Sequence, residues 1–327
     1  MNKILKKTLT MLGAIFLPLA NTQAEPTKPP QFSDPTHIIV GYAPGGASDR
    51  AARFIGEELQ KALGVTVIVD NKTGAGGRIA AQYTKNQPST RDTLMIGNPA
   101  VMVVAPMVFE QLNYDPKADF TPVAGVSDYT FGIAVAADSP WETLSDLISW
   151  AKENPEKFNI AVPAYGSLPH FFALMLANKT NVKAEAVGYR GSAPALNDLI
   201  GGAIPVGIDT IDILTAHHGD RLRILATSGE QREKKLPKVP TFKESGLDLN
   251  AAGWNALFAP SSMNPEKIEF LGKTIKEIMS KPEIQKRFLD SDLPPVQMNS
   301  VETKQEIQNF TEQWAPIIKA SGYKVDQ

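Results

Sequence analysis

Hydrophobic and polar positions in this chain switch repeatedly between a strand-like and a helix-like period. The run His37-Ile38-Ile39-Val40 is apolar and rich in β-branched residues, which predicts a buried strand. A Pro-Gly-Gly turn follows, and apolar residues then recur at helical spacing over about 48–63. The same change is repeated downstream. Residues 65–70 predict a strand, 74–77 a glycine-rich turn, 79–85 a helix and 93–98 a third strand. Further strands are predicted at 131–136, 159–162, 185–189, 204–209 and 222–227, with helices near 144–154, 169–178 and 194–200. The C-terminal part reads as mostly helical, near 265–280, 282–290 and 301–320. Strand–helix alternation of this kind implies an α/β protein whose parallel or mixed sheets are covered by helices.

In open α/β sheets, ligands sit where strands end and loops lead into helices. The candidate loops are therefore 42–49, 97–100, 163–170, 189–193 and 209–212. Two are alike in kind. Tyr42-Ala43-Pro44-Gly45-Gly46-Ala47-Ser48-Asp49 and Pro163-Ala164-Tyr165-Gly166-Ser167-Leu168-Pro169-His170 each pass from strand through small residues to a helix start. Such a turn gathers free backbone N–H groups and the positive end of a helix dipole, which suits an anion. No Lys or Arg lies in the first turn, and no Lys follows Gly46 as a phosphate loop would require. Gly46 is expected to be the position where the turn tolerates no Cβ. A ligand held between the two loops would have both ends met by backbone donors.

Single residues in these loops each have an alternative structural role. Asp49 could orient a ligand amine or a water, yet Ser48 and Asp49 are also natural helix N-caps. Ser167 and His170 could both line a cleft; as a catalytic pair they lack an acid partner. Arg190 suits a carboxylate or a salt bridge between lobes. Asp209 suits backbone donors at a strand end more than an anion. Gly97 and Asn98 belong to the third loop, where Asn98 serves either a ligand or the turn itself. Tyr42, Tyr165, Phe171 and Tyr189 would tolerate an aromatic or aliphatic ligand body.

The N-terminus changes the setting. Lys3, Lys6 and Lys7 precede an apolar stretch over 9–20, and Thr22-Gln23-Ala24 offers a cleavage site, so residues 1–24 are expected to be a secretory signal peptide. The chain is then expected in the periplasm. It has no Cys, so no disulfide frame is available. A formal charge of −2 argues against nucleic acid as a partner. Four histidines, two of them adjacent, make a metal site an unattractive reading, and the Gly74-Ala75-Gly76 turn lacks the third glycine of a dinucleotide fingerprint. No cofactor is expected.

Five motifs in order resemble the substrate-binding proteins of tripartite tricarboxylate transporters, often called the Bug family. They are Tyr42-Ala43-Pro44-Gly45-Gly46-Ala47-Ser48-Asp49, and Val69-Asp70-Asn71 with Gly74-Ala75-Gly76-Gly77. Tyr114-Asp115-Pro116 with Asp119-Phe120-Thr121-Pro122-Val123 is the third, and Tyr189-Arg190-Gly191-Ser192-Ala193-Pro194-Ala195 with Asp198-Leu199-Ile200-Gly201-Gly202 the fourth. Pro237, Val239-Pro240-Thr241, Glu244 and Gly246 form the fifth. The resemblance implies a two-lobed periplasmic binding protein of the Venus-flytrap kind, with a mixed sheet flanked by helices in each lobe. Lobe 1 would take residues 25–137 and 251–327, lobe 2 residues 138–250, with chain crossings near 137 and 250. It further implies that a small carboxylate is held in the cleft through Tyr42 to Asp49, Gly97, Asn98, Ala164 to Ser167, His170, Tyr189, Arg190 and Asp209. Integral-membrane permease subunits would receive it from a monomeric receptor. A receptor reporting to a sensor kinase shares these features. A periplasmic hydrolase or lyase acting through Ser167 and His170 is the alternative from another class.

Overall fold

The computed structural model describes residues 29–324, so the expected signal peptide lies outside the described residues. Strand β1 (Thr36–Val40), helix α1 (Ala47–Leu63) and strand β2 (Val67–Asn71) open the chain, and α2 (Arg78–Lys85) leads to β3 (Thr93–Gly97). β1 runs parallel to both β2 and β3, which places the loops after all three strands along one edge. Gly64, at φ +67, ends α1 in the left-handed region, and its N–H bonds the carbonyl of Gln60 at 3.0 Å.

A π-type segment (Ala100–Val104) and the short α3 (Ala105–Val108) precede β4 (Phe120–Ala136), a strand of 17 residues. Then come α4 (Leu144–Glu153), β5 (Asn159–Val162), α5 (Leu168–Thr180), β6 (Glu185–Gly188), α6 (Ser192–Ile200), β7 (Val206–Thr210), α7 (Ile211–Thr215) and β8 (Leu222–Thr227). β9 (Ala252–Pro260), α8 (Pro265–Ser280), α9 (Pro282–Asp290), β10 (Pro295–Met298) and α10 (Ser300–Ala320) complete the described chain.

The strand order is β2-β1-β3-β9-β4-β7-β5-β6, with β8 and β10 also pairing β4. β4 is the shared element. Its residues from Phe120 to Thr130 pair antiparallel with β9, whereas Phe131 to Ala136 pair with β7 and β8. The change of partner between Thr130 and Phe131 divides the sheet into the two halves that make the molecule two-lobed.

The first half of β4, together with β9 and β10, is absent from the hydrophobic pattern. Pro122 and Gly125 interrupt β4, and each sits at a register shift where a bulge tolerates it. β9 is buried at every residue but its first, so it shows no alternation, and Asn255 inside it breaks the apolar run. The helices expected at 265–280, 282–290 and 301–320 are found as α8, α9 and α10, with only the four-residue β10 between them unforeseen.

Packing follows the same division. Ile55 and Leu59 of α1 are fully buried with Ile38, Val40 and, from α8, Leu271 and Ile275. A second cluster spans both halves, joining Ile39 and Met95 to Phe131, Phe171, Phe172 and Trp314. Each such side chain contributes about 1.5–3 kcal/mol by leaving water. Phe171 is therefore core and not a cleft-lining residue. Among the described residues no helix is long and apolar enough to cross a membrane.

Candidate functional site

The turn after β1 is organised by one carboxylate. Asp49, 2% exposed, takes the N–H of Gly45 at 2.9 Å, the Arg53 guanidinium through two 2.9 Å bonds, and Asn71 Nδ2 at 2.9 Å. Its pKa lies below the ordinary carboxylate value: burial pushes it upward, but the bonds from Arg53, Gly45 and Asn71 outweigh that. Asn71 also donates to the Tyr42 carbonyl at 2.9 Å. With both oxygens engaged, Asp49 braces the loop. The N-cap is Gly46, so neither Ser48 nor Asp49 caps the helix as their types suggest. Ser48 is buried, and its hydroxyl bonds Asn255 Oδ1 at 2.6 Å.

The strained position is also one residue earlier than expected. Gly45 has φ +88, whereas Gly46 has φ −72, and a Cβ on Gly46 would meet only the Ala43 carbonyl at 3.6 Å. Ala43, Pro44 and Gly45 are exposed and Ala47 is half-buried. The first intrahelical donor is Arg50 N–H, to Gly46 O at 2.9 Å. Hence the N–H groups of Ala47, Ser48 and Asp49, in the first turn of α1, have no intrahelical acceptor, the pattern of donors that suits an anion.

Beside this loop the Tyr42 hydroxyl bonds Gly76 O and Asn98 Oδ1, both at 3.2 Å. Burial pushes Tyr42 up to about 12, partly offset by the Asn98 bond. Asn98 is 7% exposed; its Oδ1 also takes Val101 N–H at 3.3 Å, the turn role left open by the sequence. Gly97 is buried under Phe258, whose ring atoms lie 2.7 Å from where a Cβ would be, so close packing accounts for the glycine.

In the second half, Ser167 is the N-cap of α5. Its hydroxyl donates to Ala164 O at 2.7 Å and accepts from His170 N–H at 3.3 Å. His170 Nδ1 accepts from Gly166 N–H at 3.1 Å, and burial among aromatic rings holds the imidazole down to about 4. It is therefore neutral, and the Ser167 hydroxyl proton points to a carbonyl, not to an imidazole. This is a loop-bracing arrangement without an activated nucleophile. Gly166 takes φ +76, and Tyr165, 55% exposed, lies over Gly188. The first-turn N–H of Leu168 is the counterpart of those at α1.

Three more predicted residues lie at neighbouring strand ends. Tyr189 donates to Asp198 Oδ2 at 2.8 Å, and burial and Asp198 together push it up to about 12. Arg190 is exposed and forms no salt bridge between lobes. Asp209 is 5% exposed and takes Thr210 N–H at 2.7 Å on Oδ1, while Oδ2 has no acceptor-distance donor although the Ser192 hydroxyl is near. Burial raises Asp209 to about 7.

The halves are tied together by residues without a sequence signal. Arg50 Nη1 donates to Gly45 O at 2.7 Å, and its Nη2 reaches Asp212 Oδ2 at 3.0 Å and Ser291 O at 3.2 Å. The first loop is thereby fastened to α7 of the second half, close to Asp209. Near the other loop, the Tyr323 ring lies 4.8 Å from His170 and 5.8 Å from Phe171. A separate cavity of about 690 Å³, with Asp128, Thr130, Glu233, Asn250 and Glu306 on its wall, lies on the opposite face of β4 from Tyr129 and Phe131. None of the loop residues lines it.

Residues 51–323 match the model of the tripartite tricarboxylate transporter family receptor. The chain belongs to this family. The receptor is 31% identical over 310 residues to the "UPF0065 protein in gbd 5'region" of Cupriavidus necator, covering 95% of this chain and 94% of that protein. Its fold is similar to that of Rpa4515 of R. palustris with adipate, with a TM-score of 0.83 and 27% identity over 89% of this chain and 98% of that one. MatC of Rhodopseudomonas palustris with bound malate gives a TM-score of 0.77 at 25% identity, covering 88% and 100%. The fold is thus that of a periplasmic binding protein, and the receptor is a binding protein, not an enzyme. The hydrolase alternative falls with the Ser167 and His170 geometry.

Proposed function

We propose that this receptor captures a small carboxylate in the periplasm, between the turn at 42–49 and the turn at 163–170, and hands it to the membrane permease of its tripartite transporter. The observation that carries the reading is the pair of helix starts. The first turn of α1 offers Ala47, Ser48 and Asp49 N–H groups, and that of α5 offers Leu168, each beside a braced loop with a glycine at positive φ. The related structures named with adipate and malate support an acid as ligand.

The expected division, 25–137 with 251–327 against 138–250, is kept except at its first crossing, which the pairing of Phe131 to Ala136 with β7 and β8 moves upstream of 137; the receptor is taken to act as a monomer. Closure would bend β4 near the partner change at Thr130 and Phe131, and the 228–251 connection would follow. The charged start, apolar run and Ala24 site of residues 1–24 support export with cleavage near Ala24.

A thermal-shift screen of mono-, di- and tricarboxylates, each beside its amide and with chelator present, tests the reading. A ligand that binds only the native state raises the melting temperature. At least one acid should do so while its amide does not, with chelator making no difference. A panel without effect, or amides equal to acids, would overturn the reading.

A further inference from the structure

The cavity behind β4 is built by both halves of the molecule. The first half supplies Asp128, Leu289, Leu293 and, from α10, Glu306 and Phe310. The second supplies residues 229–235, which lead directly into Leu236 and Val239, buried with Leu214 and Ile224. At about 690 Å³ it has the size of a small-molecule site, and its leucine and phenylalanine side chains give it an apolar lining.

Charge is uneven around this lining. Among the basic residues, Arg232 pairs with Glu244 at 2.8 Å and Lys235 with Asp292 at 2.9 Å, which leaves the exposed Lys234. The carboxylates of Asp128, Glu230, Glu233 and Glu306 meet no cation. Glu233 accepts the Thr130 hydroxyl at 2.6 Å, and Glu230 accepts Asn250 Nδ2 at 3.0 Å. Burial pushes Asp128 up to about 7, and the charge of Glu306 adds to the rise. Among the described residues, no three acidic or histidine side chains gather closely enough to hold a metal ion. What fits carboxylates spread over an apolar wall is an extended cation, its charges separated by methylene chains.

Hydrogen bonds connect this cavity to the first ligand turn. Lys235 donates to Asp290 O at 2.8 Å besides pairing with Asp292. Between those two, Ser291 O takes Arg50 Nη2 at 3.2 Å, while Arg50 Nη1 holds Gly45 O at 2.7 Å. The two sites also lie on opposite faces of β4: Phe131, on the face away from the cavity, packs on Phe172 of α5 at 5.6 Å. Closing the halves over the turns therefore draws the walls of the cavity apart.

We propose that the cavity behind β4 binds a linear polyamine, whose ammonium groups join the carboxylates of both walls and so oppose carboxylate capture at the turns. The polyamine site stands by itself; the antagonism rests on the carboxylate reading above.

The test is calorimetric titration of the receptor with spermidine, beside butylamine and magnesium chloride at equal ionic strength. Spermidine should bind at least about tenfold more tightly than butylamine, and magnesium should not bind. Combining Glu230→Gln with Glu306→Gln removes one carboxylate from each wall and should weaken spermidine by at least about tenfold. Neither residue has a cationic partner to lose, so the double variant should melt like wild type and keep its affinity for acids. Asp128→Asn repeats the test at a third position. Saturating spermidine should weaken binding of the acid that most raises the melting temperature by at least about fivefold, and that acid should weaken spermidine equally. No spermidine binding, binding matched by magnesium chloride, or binding unchanged in the variants overturns the polyamine site. Spermidine binding that leaves the acid's affinity unchanged or tighter overturns the antagonism and leaves the receptor reading intact. If no acid binds wild type, the receptor reading fails and the antagonism with it, while the spermidine titration decides the site by itself.

Discussion

Arg50 Nη2 lies 3.0 Å from Asp212 Oδ2, joining the first turn of α1 to the start of α7 across the two halves of the sheet. The same guanidinium holds the Gly45 carbonyl, so one side chain links loop shape to the approach of the halves. The pair is not fully satisfied, for Arg50 Nε and Asp212 Oδ1 are buried without partners.

Removing one member of this pair should loosen the arrangement. Arg50→Met keeps the apolar stem and Asp212→Asn keeps the shape, and each should cost about 1–3 kcal/mol. The double variant should cost less than the sum, since both remove one interaction. Small-angle scattering of each variant should show a larger radius of gyration than wild type. Additive losses and unchanged scattering would mean that the pair does not hold the halves together.

Gly45 and Gly46 should respond differently to alanine. Gly45→Ala forces a Cβ into φ +88, which costs about 1–2 kcal/mol and should lower the melting temperature. Gly46→Ala, at φ −72 with only an ordinary contact to the Ala43 carbonyl, should melt like wild type. Equal losses would place the strain elsewhere in the turn.

The pH dependence of stability should carry two opposing contributions. His170 titrates near 4 when folded and near 6.5 as a free side chain, so the unfolded chain holds more protons between these values. Its contribution is complete above 6.5 and is lost as the pH falls through 4. Asp209 keeps its proton up to about 7, against an ordinary 3.8, chiefly because it is buried, with Asp212 adding to the rise. Its contribution is complete below 3.8 and is lost as the pH rises through 7. Asp209→Asn removes that second limb. Its melting temperature should therefore gain on wild type between pH 4 and pH 8, by about 3 °C or more. Parallel profiles for the two proteins would contradict the buried ionisation.

Much of this architecture can be read from the residues. The β-branched run at 37–40, the Pro-Gly-Gly break and the periodic helix after it lead to β1, the candidate loop and α1. Ser167 caps α5 as a serine before a Pro-bearing first turn should. Other features depend on contacts between distant segments. Asp49 looks like a ligand contact or a cap until Arg53 and Asn71 are seen to occupy it. β9 cannot be distinguished in a pattern where nearly every residue is buried, and β4 is hidden by Pro122 and Gly125. Arg50 and Arg78 look alike as single cations near helix starts. Only their surroundings, Asp212 for one and the Phe109 ring for the other, tell them apart.

The central claim is that the first turns of α1 and α5 supply the donors that hold the carboxylate. Amide NMR of the receptor, titrated with an acid that raises its melting temperature, reads those donors directly. The Ala47, Ser48 and Leu168 N–H resonances should move together with one dissociation constant, equal to that obtained by calorimetry. If they stay in place at saturation while resonances around the cavity at Asp128 and Glu306 move, the ligand site is not at the paired turns.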